Sequence, residues 1–202
     1  ERVCFSFAIP YTQKNLDAFL KKYSKKSEFN VSLLTKTKKG RQNIYITLEP
    51  VGRKASHKIA FTARHHACEM TANYVIEGIV SRYFSDTPQG KWARENLAVF
   101  IVPFVDYDGV IDGDQGKNRL PHDHNRDYLD TLYPSVRAIK QILPKWGGDK
   151  LRYALDIHCP YISKRNPNDI NDRLFFTAPQ SDKANINLEK SLIHISEPTR
   201  QA

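Results

Sequence analysis

Residues 62–78 read TARHHACEMTANYVIEG. The stretch joins the end of an apolar run, residues 58–63, to a segment of helical spacing that starts at Met70. From Met70 to Tyr83, Ala72, Val75, Ile76, Ile79 and Tyr83 fall on one predicted inner face. A strand-length run that feeds a helix is the building unit of an α/β protein. At the junction stand His66 and Glu69, three residues apart. Two readings are open: a pair on a surface turn, or two ligands of a metal ion.

The neighbouring segments extend the same pattern. Residues 3–9 read as a strand that Pro10 breaks. Leu16, Phe19, Leu20 and Tyr23 then recur at helical spacing, with Thr12 as the N-cap. Residues 29–35 and 43–48 are strand-like, and KKGRQN between them is a turn carrying Gly40. Downstream, LAVFIVPFV (97–105) has the length of a buried strand. A long polar loop follows, 106–127, then a helix near 136–143. RYALDIHC (152–159) is a second buried strand, and RLFFTA (173–178) another. Strands alternate with helices, which predicts an α/β fold with a mixed, mostly parallel central sheet flanked by helices.

The chain has 202 residues, 40% of them hydrophobic, enough for one domain with its own core. No run approaches the roughly 20 apolar residues of a membrane-spanning helix. No signal-peptide pattern is visible, although the sequence opens at Glu1 and an upstream leader stays open. The formal charge is +9, and residues 14–54 hold 11 Lys or Arg against three acids. Such a segment attracts nucleic acid, anionic lipid or acidic peptide. Aromatics are not interleaved there as base stacking requires, so no specific nucleic-acid signal is read and a solvated face is expected. Three cysteines (Cys4, Cys68, Cys159) without a CxxC give no disulfide framework and read as small buried hydrophobes.

The last residues differ in kind. SLIHISEPTR (191–200) resembles the translation of a common transposase sequencing adaptor. The natural sequence is therefore expected to stop near Lys190, with 191–202 a non-native tail that takes no part in the fold.

Zinc takes nitrogen and oxygen ligands, and a catalytic site keeps three protein ligands with one position open. His66 and Glu69 at a strand-to-helix junction offer two. His158, at the C-terminal end of a strand, offers a third, where open α/β sheets bind ligands. HxxE alone is a weak signal, and a lone strand histidine is more often a satisfied core residue. The segment 106–127 strengthens the metal reading, because it is too long and too charged for a simple connector. It carries Lys117, Arg119, Asp123, Asn125 and Arg126, the residue types that orient a ligand histidine and clamp a carboxylate.

In order, ARHHACE, DYDGV, DHNRD and LDIHC resemble the motifs of the zinc carboxypeptidases of the carboxypeptidase A superfamily. The opening CFSFAIPYTQKNLDAFL is similar to the domain junction of the cytosolic carboxypeptidase-like branch. The resemblance covers residues 11–190, as a partial catalytic domain, and makes residues 1–10 the last strand of a small preceding β domain. It implies one zinc ion held by His66, Glu69 and His158. It implies that Asp123 hydrogen-bonds the first ligand histidine, that Asn125 and Arg126 grip the substrate's terminal carboxylate, and that Arg119 stabilises the oxyanion, with Lys117 nearby.

The implied activity is hydrolysis of a C-terminal peptide or isopeptide bond of a peptide or protein, with an acidic substrate suited to the net charge and a cytoplasmic location suited to the branch. Three departures stand out: Ala67-Cys68 replaces Pro-Gly between the ligands, Asp106-Tyr107 replaces Asn-Pro, and His65 is an extra histidine, read as a neighbour rather than a fourth ligand. The family's general base is a glutamate on a late strand. After His158 only Glu189 precedes the adaptor-like run, within a helix-like NLEKSL, so the base is expected in sequence beyond Lys190 and residues 1–190 are expected to bind zinc without turnover. Two other readings stay open: a zinc hydrolase acting on N-acyl amino acids or peptidoglycan stem peptides, and a non-catalytic basic binding module.

Overall fold

A computed structural model describes residues 8–159. The strands expected at 3–9 and 173–178, the helix-like NLEKSL and the adaptor-like 191–200 lie, wholly or nearly so, outside the described residues.

Helix α1, Gln13–Tyr23, begins where expected. The Thr12 amide donates to Asn15 Oδ1 at 2.8 Å, while the Thr12 carbonyl accepts from the amides of Asn15 and Leu16. These bonds satisfy groups that a helix start leaves unpaired. Leu16, Phe19 and Tyr23 are buried, and Leu20 packs beside them.

Strands β1 (Phe29–Lys36) and β2 (Gln42–Leu48) form an antiparallel hairpin, with Phe29 opposite Leu48. Gly40 takes a positive φ of 76° in the turn, a conformation that a residue without Cβ adopts freely. Strands β3 (His57–Ala63), β4 (Leu97–Val102) and β5 (Leu151–Ile157) complete a five-stranded sheet of order β1-β2-β4-β3-β5. The sheet is mixed and flanked by helices. β2 meets β4 antiparallel, whereas β4-β3 and β3-β5 are parallel. The parallel character is thus concentrated in the half that carries the candidate site.

β4 is buried on both faces from Ala98 to Val102, as its unbroken apolar run predicts. Alternation along the strand divides its side chains between two layers. Val99 and Ile101 join Leu16, Phe19, Ile76 and Val80 from α1 and helix α2 (Thr71–Tyr83), while Phe100 and Val102 join Val136 and Ile139 from helix α5 (Pro134–Gly147). Among the described residues no helix is long and apolar enough to cross a membrane.

Several elements depart from the expectations. Helix α2 spans Thr71–Tyr83, but its buried stripe is Ala72, Asn73, Ile76, Val80 and Tyr83; Val75 is exposed, and Ile79 is partly buried against the core. Asn73 can be buried because its amide is bonded, donating to the Pro103 carbonyl at 2.8 Å. Helix α3, Pro88–Asn96, carried no expectation; it starts at Thr87, whose hydroxyl accepts from the Gly90 amide, and runs directly into β4. The polar segment 106–127 is not loop throughout, since it opens with helix α4, Tyr107–Asp112, and closes with a 3-10 turn, His124–Arg126. Helix α5, Pro134–Gly147, is longer than 136–143. β5 was expected to be buried, yet Arg152, Tyr153 and Ala154 are exposed. It is the edge of the described sheet, hydrogen-bonded to β3 alone.

Part of the basic segment is committed internally. Lys39 pairs with Asp112 at 2.5 Å, and Arg41 pairs with Asp108 at 3.1 Å and Asp112 at 2.7 Å. These contacts bind the hairpin turn to α4.

Candidate metal centre

The register of the parallel strands sets the site. Thr62 lies beside Val102, and Ala63 beside Ile157, so β3, β4 and β5 end on one edge of the sheet. The chain leaving β3 at residue 64 and the chain leaving β5 at residue 158 therefore meet. That edge is where open α/β sheets place their ligands.

Residues 64–69 form a tight turn between β3 and α2. Arg64 has a left-handed φ of 62°, unusual for a residue with a side chain. It is buried, and its guanidinium donates to the Ala67 carbonyl, to Asn73 Oδ1 at 2.9 Å and to the Tyr11 carbonyl at 3.2 Å. Burial lowers its pKa to about 10, which leaves it charged at neutral pH. From outside, residues 115–116 press on the same turn. The Cys68 amide donates to the Gln115 carbonyl at 3.2 Å, and Gly116, at φ 89°, lies so close that a methyl group there would overlap the Ala67 nitrogen. Only glycine fits that approach.

Within this frame His66, Glu69 and His158 converge, with one donor atom from each within 4.8 Å of the others. His66 Nδ1 lies 3.0 Å from Glu69 Oε1, and His158 Nδ1 lies 2.7 Å from Glu69 Oε2. The two imidazole rings stand 4.9 Å apart. Glu69 is buried, its side chain only 4% exposed. Burial alone would raise its pKa; hydrogen bonds from His158 and Lys117 outweigh burial and hold it down at about 2. Burial likewise disfavours charge on His158, but bonds to Asp156 and Glu69 lift its pKa to about 10. A proton on Nδ1 thus answers, between imidazole and carboxylate, the demand for positive charge that a divalent cation would answer. Two imidazole nitrogens and one carboxylate are a donor set that zinc accepts.

The other expected residues surround this trio unequally. Asp123 Oδ2 lies 3.7 Å from His66 Nε2, while its Oδ1 accepts from the Asn125 and Arg126 amides and caps the 3-10 turn. Asn125 Nδ2 is 3.4 Å from His158 Nε2. The Arg126 side chain is 80% exposed, held only loosely at 4.0 Å from Asp123. Arg119 differs from expectation. Its guanidinium is taken by Asp106 at 2.6–2.8 Å and by Asp114 at 3.0 Å. Lys117 is the cation at the trio, 3.0 Å from Glu69 Oε1. His65 faces Asp156 and Tyr128 rather than the trio, in keeping with its reading as a neighbour. Cys68 and Cys159 are free thiols, each partly exposed rather than buried, and burial raises the pKa of Cys68.

Sequence reasoning gave no role to Arg64, Gly116, His65 or Asp156. For Asp156 a signal existed: alternate residues of a strand share a face, so DIH places Asp156 beside His158. Gly116 depends on a contact with a distant segment and had none; Arg64 stands within the ARHHACE motif, but its bonds to Tyr11, Ala67 and Asn73 follow from no spacing.

No family model matches the chain. Among curated proteins it is 28% identical over 166 residues to mouse cytosolic carboxypeptidase 6, covering 76% of this chain and 31% of that protein. It is 29% identical over 155 residues to cytosolic carboxypeptidase 6 of Caenorhabditis elegans, covering 73% and 34%. Among solved structures, a metallo-carboxypeptidase from Burkholderia cenocepacia superposes with a TM-score of 0.65 at 26% identity, covering 75% of this chain and 43% of that one. The chain spans about a third of the length of the curated relatives it matches. The curated proteins it matches are cytosolic carboxypeptidases and the matched structure is a metallo-carboxypeptidase, so the chain is similar to the carboxypeptidase superfamily and to its cytosolic branch.

Proposed function

We propose that the protein is a zinc-dependent carboxypeptidase that removes a C-terminal residue from a peptide or protein, and that residues 64–158 supply its metal ligands and its carboxylate grip. The observation that carries this reading is the convergence of His66 Nδ1, the Glu69 carboxylate and His158 Nδ1 at the ends of two parallel strands. Bound zinc would polarise the scissile carbonyl and lower the pKa of a water molecule. Asp123 faces the far nitrogen of His66 and keeps its ring turned toward Glu69. Arg126, exposed and weakly paired, is free to take a terminal carboxylate through its planar fork, with Asn125 beside it. Arg119 is engaged by two aspartates, so we assign the charge that steadies the developing oxyanion to Lys117. A glutamate must still accept the proton from water. Between His158 and the adaptor-like run the sequence holds Glu189, outside the described residues. A cytoplasmic setting and an acidic substrate accord with the relatives' names and with the net charge of +9.

The test is recognition of the terminal carboxylate. A blocked dipeptide with a free C-terminus should bind the zinc-loaded chain at least about tenfold more tightly than its C-terminal amide, the worth of one charge-assisted hydrogen bond. Arg126→Ala should remove that preference. Equal binding of acid and amide by the unaltered chain would refute a carboxypeptidase and favour another zinc hydrolase.

A further inference from the structure

The carboxypeptidase reading leaves the buried imidazole of His65 unused. His65 follows directly on the strained Arg64 and is 1% exposed. Its Nδ1 lies 2.7 Å from Asp156 Oδ1, and its Nε2 lies 2.9 Å from the Tyr128 hydroxyl. Asp156 Oδ1 also accepts from the Thr62 hydroxyl at 2.8 Å. The second oxygen, Oδ2, lies 2.6 Å from His158 Nε2. Four side chains from β3, the turn after it, β5 and the segment before α5 thus lead to one nitrogen of His158.

The hydrogens in this chain follow from elementary rules. An ionised carboxylate accepts and never donates. His158 Nε2 and His65 Nδ1 must therefore both carry hydrogens and donate to Asp156. A neutral His65 then has a lone pair on Nε2, which accepts from the Tyr128 hydroxyl. Without a metal, His158 Nδ1 must carry a hydrogen too, donated to Glu69; with Nε2 committed to Asp156, Nδ1 is the nitrogen whose hydrogen a metal would replace.

We infer that Asp156, held by His65, Thr62 and Tyr128, is a positioning residue that fixes the tautomer and ring orientation of His158 for metal binding. The inference rests on the metal-binding reading above. It makes the two histidine arms unequal. Asp123 stands 3.7 Å from His66 Nε2 and spends its other oxygen on a turn, whereas Asp156 stands at 2.6 Å from His158 Nε2 and is bonded on its other oxygen by Thr62 and His65, with Tyr128 behind His65. Carboxylate partners of ligand histidines raise ligand basicity and hold the ring in place.

The experiment is zinc affinity of the full chain by competition with a chromogenic chelator, together with the visible absorption of the cobalt(II) form. The proteins are wild type, His66→Ala, Asp156→Asn and Tyr128→Phe. Asp156→Asn keeps the volume and removes the charge, and zinc affinity should fall about 10–100-fold. Its cobalt band should shift, a change that a purely structural weakening would not produce. Tyr128→Phe deletes one hydroxyl three hydrogen bonds from the ligand and should lower affinity in the same direction by less, which keeps the test sound if Asp156→Asn fails to fold. Wild-type affinity and an unshifted cobalt band in both variants would overturn the inference while leaving the metal site intact. A wild-type chain that binds zinc no more tightly than His66→Ala would overturn both.

Discussion

Replacing Arg64 by Met tests whether the turn that carries His66 and Glu69 is built or merely tolerated. The guanidinium satisfies three carbonyl oxygens: the backbone of Ala67, the backbone of Tyr11 and the side chain of Asn73. All three residues are buried. A buried acceptor left without its partner costs about 1–3 kcal/mol. Three such losses, offset by release of a charge whose own burial is unfavourable, give about 3–5 kcal/mol. That is a large part of the roughly 5–15 kcal/mol that holds a domain together. Arg64→Lys keeps the charge but cannot fork to three acceptors, and should cost about half as much. Arg64→Gly loses the same bonds as Met but relieves a left-handed backbone worth about 1 kcal/mol, so it should fall just short of the Met variant. Urea unfolding with equal m values measures all three, and zinc affinity should follow the same order because His66 and Glu69, the proposed ligands, ride on this turn. A loss below about 1 kcal/mol in Arg64→Met, with unchanged zinc affinity, would show that α2 and the 115–116 contact hold the turn without Arg64 and would refute the reasoning.

Two further outcomes follow from the loop that faces this turn. His124 stacks on Tyr133 at 3.8 Å, and burial, followed by the charge of Arg119, lowers its pKa to about 3 from an ordinary 6.5. The unfolded chain gains this proton below pH 6.5 and the folded chain does not, so stability is full above 6.5 and drains as pH falls toward 3, at about 1.4 kcal/mol per unit. His124→Phe should flatten that slope in urea melts at pH 7, 6 and 5, and a slope equal to wild type would count against the assignment. Lys117 competes with any cation for Glu69 across a partly exposed pair, so Lys117→Ala should tighten zinc binding by up to about fivefold. Weaker binding would mean that Lys117 orients the carboxylate instead.

What could be read in the sequence was what is local or periodic. The spacing of Leu16, Phe19 and Tyr23 and the unbroken apolar run of β4 report their own burial. His66 and Glu69 belong to one turn, and His158 to a strand end, so their meeting needs only a parallel sheet. Lys117 and Arg119 show the limit. Two residues apart in one polar segment, they differ only in where Asp106 and Asp114 come to lie, which no spacing encodes. Val75 was misplaced because its apolar side chain fits a helical stripe that the packed face does not use, while Asn73 earns its buried place through bonds to Pro103 and Arg64. β5 was misjudged because an apolar run predicts burial on both faces, and this strand has a described neighbour on one side only.

That exposed edge raises a question of register. A strand buried on one face is held in register by its apolar side chains, since a slip by one residue would turn them to solvent. β5 has only part of that restraint: Leu151, Leu155 and Ile157 pack against the core, while Arg152, Tyr153 and Ala154 are exposed. A slip of one residue would carry both Asp156 and His158 to the opposite face of the sheet and dismantle the trio. The bonds to Asp156 add to the specification. Thr62 and Asp156 are register partners across β3 and β5, and their side chains are bonded at 2.8 Å, with His65 closing on the same oxygen. A buried imidazole left facing an apolar residue after a slip would lose its partner and cost about 1–3 kcal/mol. Asp156 therefore serves two ends at once: it turns His158 toward Glu69, and it pins the strand that brings His158 there.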